Sequence, residues 1–146
     1  MQPAIEPAIE TATGADAGAV IALWQACGLT RPWNDPQADF ALALATPTST
    51  ILILRDGDRI VASVMTGFDG HRGWVYYLAV DPVGQRRGLG RQMMAAAEAW
   101  LREQGSPKIQ LMVRGDNLAA TAFYRALGYE VQDVVTIGRR LDQIGG

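Results

Sequence analysis

Residues Leu78 to Arg91 read LAVDPVGQRRGLGR, and their types suit the binding of a phosphate. Gly84, Gly88 and Gly90 let a main chain approach a ligand without Cβ clashes. A helix begins just after them, and the first amides of any helix lack an internal partner and attract an anion. Arg86, Arg87 and Arg91 add positive charge in a form that forks onto phosphate oxygens. The chemistry this predicts is a pyrophosphate resting on a helix N-terminus. The plain alternative is a glycine-rich turn with solvated arginines. A Walker loop is excluded, because no Gly-Lys-Ser/Thr follows, and the dinucleotide fingerprint lacks its third glycine.

The rest of the chain narrows the ligand. Its 146 residues fit one domain, residues 1–146, around a single core. Hydrophobic residues make up 49% and charged residues 19%, which is the composition of a folded globule. The formal net charge is −2, which argues against a nucleic-acid binder. Arginines gathered locally in such a chain favour a small anionic ligand. Cys27 and His71 are the single members of their kinds. No disulfide framework and no His/Cys metal site is expected from them, and a cytoplasmic location is the default. The start MQPAIEPAIETATG has neither the basic opening nor the apolar run of a signal peptide. No apolar run approaches the roughly 18 residues that cross a bilayer.

The elements that would position the loop follow from periodicity. A short strand is expected near Ala8–Thr11. Thr13 or Asp16 caps a helix with Val20, Leu23, Trp24 and Cys27 inward, closed by Gly28. LTRPWNDP, Leu29 to Pro36, is a loop, and Pro36 to Ala45 a short helix with Phe40 and Leu44 inward. Strands Thr50–Arg55 and Arg59–Gly67 flank the turn Asp56-Gly57-Asp58. Phe68–Gly73 is a connector. Trp74–Val80 is a third strand, apolar enough to predict burial on both faces. Gly88 to Gln104 is a helix with Leu89, Met93, Ala97, Trp100 and Leu101 on one face. Strand Lys108–Val113, helix Asn117–Leu127 and strands Tyr129–Val135 and Thr136–Leu141 complete the order β-α-α-β-β-β-α-β-α-β-β.

Two motifs, in order and correctly spaced, carry a family resemblance. LAVDPVGQRRGLGRQMM contains Gln85-Arg86-Arg87-Gly88-Leu89-Gly90, of the form Gln/Arg-x-x-Gly-x-Gly/Ala. RGDNLAATAFYRALGY, Arg114 to Tyr129, carries an asparagine, then Phe-Tyr, then Leu-Gly-Tyr. The chain resembles the GCN5-related N-acetyltransferases over nearly its whole length. LTRPWNDP, GFDGHRG and the late GRRL resemble a small bacterial group of the YpeA type.

The resemblance implies an α/β (α+β) fold, a mixed sheet of about six to seven strands with four helices. It implies acetyl-CoA as co-substrate and an amine of a small molecule or peptide N-terminus as acceptor, attacking the thioester directly in a ternary complex. Gln85, Arg86, Arg87, Gly88, Leu89, Gly90 and Arg91 would hold the pyrophosphate. The main chain of Leu78, Ala79 and Val80 would bond the pantetheine arm at a bulge that splays this strand from Lys108–Val113. An N–H near Val80 would stabilise the oxyanion. Asn117 would contact pantetheine or merely cap its helix. Tyr124 would protonate the departing thiolate. Pairing of two copies through the last strands is compatible with such a fold.

On the acceptor side the resemblance points to Trp33, Asn34, Asp35, Asp69, His71 and Tyr76, with the two aspartates suited to a cationic acceptor. Trp33 plugged into the core is the plain alternative. The ribosomal-protein alanine acetyltransferases carry a glutamate where this chain has Met112, so their base is missing. Asp69, His71, Tyr76 through water and Glu130 are the remaining candidates for a base. Cys27 reads as structural. A catalytically silent acyl-CoA-binding sensor or interaction module is the competing class.

Overall fold

The structure is a computed structural model that describes residues 8–83 and 88–142. By its contacts the chain divides into two compact units, Met1–Met112 and Val113–Gly146.

The first unit is built on a five-stranded sheet in the order β1-β2-β3-β4-β5, formed by β1 (Ala8–Thr11), β2 (Ser49–Asp56), β3 (Arg59–Phe68), β4 (Gly73–Val80) and β5 (Ile109–Leu111). The first four pair antiparallel, and β5 runs parallel to β4. A parallel neighbour requires a crossover, supplied by α3 (Leu89–Glu103). Helices α1 (Ala17–Ala26) and α2 (Pro36–Ala45) lie between β1 and β2 in sequence.

Alternation along β2 explains the layers. Ile51 and Ile53 pack with Val20, Ile21, Leu23 and Trp24 of α1 and with Phe40 and Ala43 of α2. Leu52 and Leu54, also buried, point to the opposite face, as successive strand residues must. Helix α3 contacts β2, β3 and β4 through its buried face of Leu89, Met93, Met94, Ala97 and Leu101. Gly73 admits that helix: a Cβ there would lie 2.7 Å from a Leu101 methyl. Trp24, fully buried, donates its indole N–H to Ser63 Oγ at 3.3 Å, which satisfies two polar atoms in the core.

The N-terminal end of α1 is fixed by charge. A single 3-10 turn, Gly14–Asp16, precedes α1, and Asp16 accepts the Thr13 N–H at 2.8 Å. Arg55 reaches Asp16 at 2.6 Å and also pairs with Glu10 on β1. The N-cap of α2 is Asp35, and Pro36 occupies the first helical position, where its missing N–H costs nothing.

The second unit holds α4 (Leu118–Ala126), capped by Asn117. The described residues beyond it contain no strand. This corrects the expectation of strands at Tyr129–Val135 and Thr136–Leu141, and the described residues form a sheet of five strands where six to seven were expected. Their β-branched residues favour extended backbone, but a strand forms only against a ladder partner. Val131, Val134, Val135, Ile137 and Leu141 are 65–92% exposed. Expected burial of β4 on both faces also fails in its second half, where Tyr76 is exposed and Tyr77, Leu78 and Val80 are only half-buried. Among the described residues no helix is long and apolar enough to cross a membrane, and no cluster of His, Cys, Asp and Glu could hold a metal ion.

Candidate active site

The site begins where β4 parts from β5. Its pairing with β5 runs through Gly73↔Ile109, Trp74↔Gln110 and Val75↔Leu111 and goes no further. On the other side, β3 pairs Met65 with Tyr76 and Ser63 with Ala79, so β4 carries one residue more than β3 over this interval. That is a β-bulge at Tyr77–Leu78, which bends the strand and re-aims its main chain. Tyr77 has φ 52°, the one positive φ among described non-glycine residues. Such a conformation costs about 1–2 kcal/mol for an L-residue. The stretch from Tyr76 onward therefore lies on a bent part of β4 beyond its last pair with β5. A strand edge accepts an extended, amide-bearing ligand.

Past β4, Asp81 accepts the N–H of Val83 at 3.0 Å, turning the chain into the loop. Gly84, Gln85, Arg86 and Arg87 lie outside the described residues. Gly88 is the N-cap of α3 at φ 75°, left-handed and open above: nothing lies within 4 Å of a Cβ placed there. The Gly88 carbonyl accepts the Gln92 N–H at 3.1 Å. The amides of Leu89, Gly90 and Arg91, in the first turn, thus have no partner within the helix. Leu89 is buried at 2%, so its side chain anchors the helix and leaves only its main chain for a ligand. Arg91 is exposed.

The thiol of Cys27, at the end of α1, donates to the Val80 carbonyl at 3.1 Å. Burial pushes that thiol above its ordinary value, and the charge of Asp81 adds to the effect. Residues that sequence reading missed also surround the bulge. Tyr77 donates its hydroxyl to Asp39 of α2 at 2.7 Å and stacks on Trp24, with ring centroids 4.0 Å apart and planes 9° apart. Burial, then the bond and charge of Asp39, raises this phenol well above its ordinary value. The sequence held no signal for this trio, because the bulge that brings Tyr77 to Asp39 has no residue signature.

The connector before β4 is organised by one carboxylate. Asp69 accepts the N–H groups of His71 (2.8 Å) and Arg72 (2.7 Å) and the Trp74 indole (3.2 Å). The bond from Arg72, then that from His71, holds its carboxyl below the usual carboxylate range. Trp74 stacks at 6.5 Å on Tyr76, whose phenol is raised by burial and by the charge of Asp69. Asp69, His71 and Tyr76 thus form one patch with Trp74. In the earlier loop, Trp33 is 61% exposed, so it does not plug the core. Asp35 accepts the Ala38 N–H at 3.1 Å and caps α2.

In the second unit Asn117 Oδ1 accepts the Ala120 N–H at 3.1 Å, which gives it a capping role. Tyr124 meets Phe123 edge-on at 5.0 Å and Tyr129 at 5.9 Å. Burial pushes its phenol up to about 12, so it is protonated at neutral pH.

The acetyltransferase (GNAT) family matches residues 18–129, a span that runs from the first unit into the second. The chain belongs to that family. As a GNAT acetyltransferase it is 45% identical over 126 residues to an acetyltransferase of Pectobacterium atrosepticum, covering 86% of this chain and 89% of the relative. It is 45% identical over 123 residues to an acetyltransferase of Sodalis glossinidius, covering 84% and 87%. Among solved structures, the aminoglycoside acetyltransferase AAC(6')-Iy, bound to a CoA bisubstrate analogue, superposes with a TM-score of 0.80 at 16% identity, covering 93% of this GNAT chain and 99% of that one. The ribosomal-protein-S18-alanine N-acetyltransferase of Escherichia coli gives 0.72 at 27% identity, covering 84% and 76%.

Proposed function

We propose that this GNAT chain transfers the acetyl group of acetyl-CoA to the nitrogen of an amine. The observation that carries the reading is the bulged end of β4, which lies past the last β4–β5 pair and precedes the helix start at Gly88. The pantetheine arm of CoA is a chain of two amides, which needs a strand edge. Its pyrophosphate needs unpaired N–H donors near positive charge. Leu78, Ala79 and Val80 offer the first. Gly88, Leu89, Gly90 and Arg91 offer the second, and Gln85, Arg86 and Arg87, outside the described residues, are assigned to the same pyrophosphate by the sequence motif. Asn117, although a helix cap, has donors of its own left for the arm.

The reaction needs no protein nucleophile. The acceptor gives up its ammonium proton to water, and the free amine attacks the thioester carbonyl to form the C–N bond. The nitrogen sheds its second proton to solvent as the C–S bond breaks, and the departing thiolate takes a proton. Tyr124, kept protonated, is the acid assigned to that step. A main-chain N–H at the end of β4 stabilises the oxyanion. The acceptor is a cationic amine. Asp69 attracts it as a fixed charge and is a poor base for it, because its carboxyl is held below the usual range. Trp33, Asn34, His71 and Tyr76 line the acceptor side, and Asp35 shapes it by holding the start of α2.

The test is calorimetry with acetyl-CoA, CoA, dephospho-CoA and ATP, followed by thiol release across a panel of small amines and peptide N-termini. Tight binding of the CoA species with turnover on an amine supports the reading. Equal binding of ATP and CoA overturns the pantetheine assignment. Binding with no turnover on any amine favours a silent acyl-CoA sensor.

A further inference from the structure

We infer that Tyr77 and Asp39 form a clamp that sets the β4 bulge, and that Tyr77 is thereby a positioning residue for the cofactor-facing main chain. A non-glycine residue holds a left-handed conformation only where its surroundings over-determine it. Tyr77 is such a residue, at φ 52°. Two contacts hold it. One is its flat stack on Trp24, which is itself pinned to Ser63 of β3. The other is the 2.7 Å hydrogen bond from its hydroxyl to Asp39 Oδ2 on α2. Met65↔Tyr76 and Ser63↔Ala79 bracket the bulge on β3. The strain therefore sits where β4 stops being a regular strand, and the residue after Tyr77 is Leu78. Release of the clamp would let the extra residue relax into ordinary extended backbone and rotate the amides from Leu78 to Val80. The consequence for cofactor rests on the acetyl-CoA reading above, whereas the clamp itself does not.

The experiment compares Tyr77→Phe, Asp39→Ala and Asp39→Asn. Phenylalanine keeps the stack and deletes only the hydroxyl. Asparagine keeps an oxygen that accepts the phenol, whereas alanine does not. Hydrogen exchange of the protein without cofactor is expected to speed up at Tyr76–Val80 in Tyr77→Phe and Asp39→Ala, with β1 and β2 unchanged. Asp39→Asn stays near wild type. Acetyl-CoA affinity is expected to fall about tenfold in the first two variants, the equivalent of one hydrogen bond, and less than about threefold in Asp39→Asn. Unchanged exchange at Tyr76–Val80 overturns the clamp. An Asp39→Asn variant as damaged as Asp39→Ala also overturns it, by showing that the charge of Asp39 is what matters. Faster exchange with unchanged affinity overturns the link to cofactor. Should wild type not bind acetyl-CoA, the functional reading fails, and exchange alone still decides the clamp.

Discussion

The thiol of Cys27 lies 3.1 Å from the Val80 carbonyl and donates to it, tying the end of α1 to the end of β4. The two residues are 53 positions apart in sequence. The bond occupies one lone pair of a carbonyl in the strand proposed to receive pantetheine. It makes Cys27 a structural partner of that strand, with the thiol kept in its neutral form.

The first prediction concerns reactivity. A thiolate is the reactive form, and burial raises the Cys27 thiol above its ordinary value. Iodoacetamide at pH 7.5 should therefore modify Cys27 more slowly than it modifies free cysteine. Cys27→Ser, which keeps a donor, should retain activity, while Cys27→Ala should lose about 1 kcal/mol of stability. Fast labelling measured by mass spectrometry would contradict the burial argument.

A second prediction follows from the contact of Gly73 with α3. An added Cβ would meet both Leu101 methyls, at 2.7 and 2.8 Å, and Ser106 Oγ at 2.9 Å. Leu101 is only 2% exposed and has little room to turn away. Gly73→Ala should cost about 1–3 kcal/mol by overpacking. Leu101→Ala opens that space, so the double variant should be less destabilised than the sum of the singles, a non-additivity that urea titration would read.

The sequence made legible what local chemistry decides. Pro36 fixes the start of α2, Asp56-Gly57-Asp58 fixes the β2–β3 turn, and the apolar period of Leu89, Met93, Ala97 and Leu101 fixes α3. The family followed from two motifs that lie at such junctions. Non-local facts were not legible. Runs such as VQDVV have the composition of a strand, yet composition does not supply a ladder partner. The extra residue in β4 looks like any other apolar residue in WVYYLAV, so that run predicted full burial where the strand actually opens. Asn117, whose capping and ligand readings both stood open, caps α4, and Asp35, expected at the acceptor side, caps α2.

A third prediction is acid sensitivity through Asp16. Its bond from the Thr13 N–H, and then the bond from Arg55, lower its carboxyl from the ordinary value. A depressed folded-state pKa contributes stability above the unfolded value, near 3.9, and loses it as pH falls through the lowered one. The melting temperature should drop as pH is lowered from about 5 to 3, more in wild type than in Asp16→Asn, which starts lower and lacks this titration. Parallel curves for the two proteins would remove Asp16 as the cause.

The last prediction separates chemistry from binding at Tyr124. Burial holds its phenol up to about 12, so its proton is present throughout pH 6–10. A general acid typically contributes about 10²–10⁴-fold in rate. Tyr124→Phe should therefore lower kcat at least a hundredfold, with KM for acetyl-CoA changed less than about threefold. Phenylalanine preserves the edge contacts with Phe123 and Tyr129, so the melting temperature should move little. Because the wild-type phenol does not ionise below pH 10, the ratio of the two rates should stay flat across pH 6–10. A ratio that collapsed with rising pH would mean that the group deleted had an ordinary pKa and that burial does not hold the proton. A fully active variant would assign the proton to solvent.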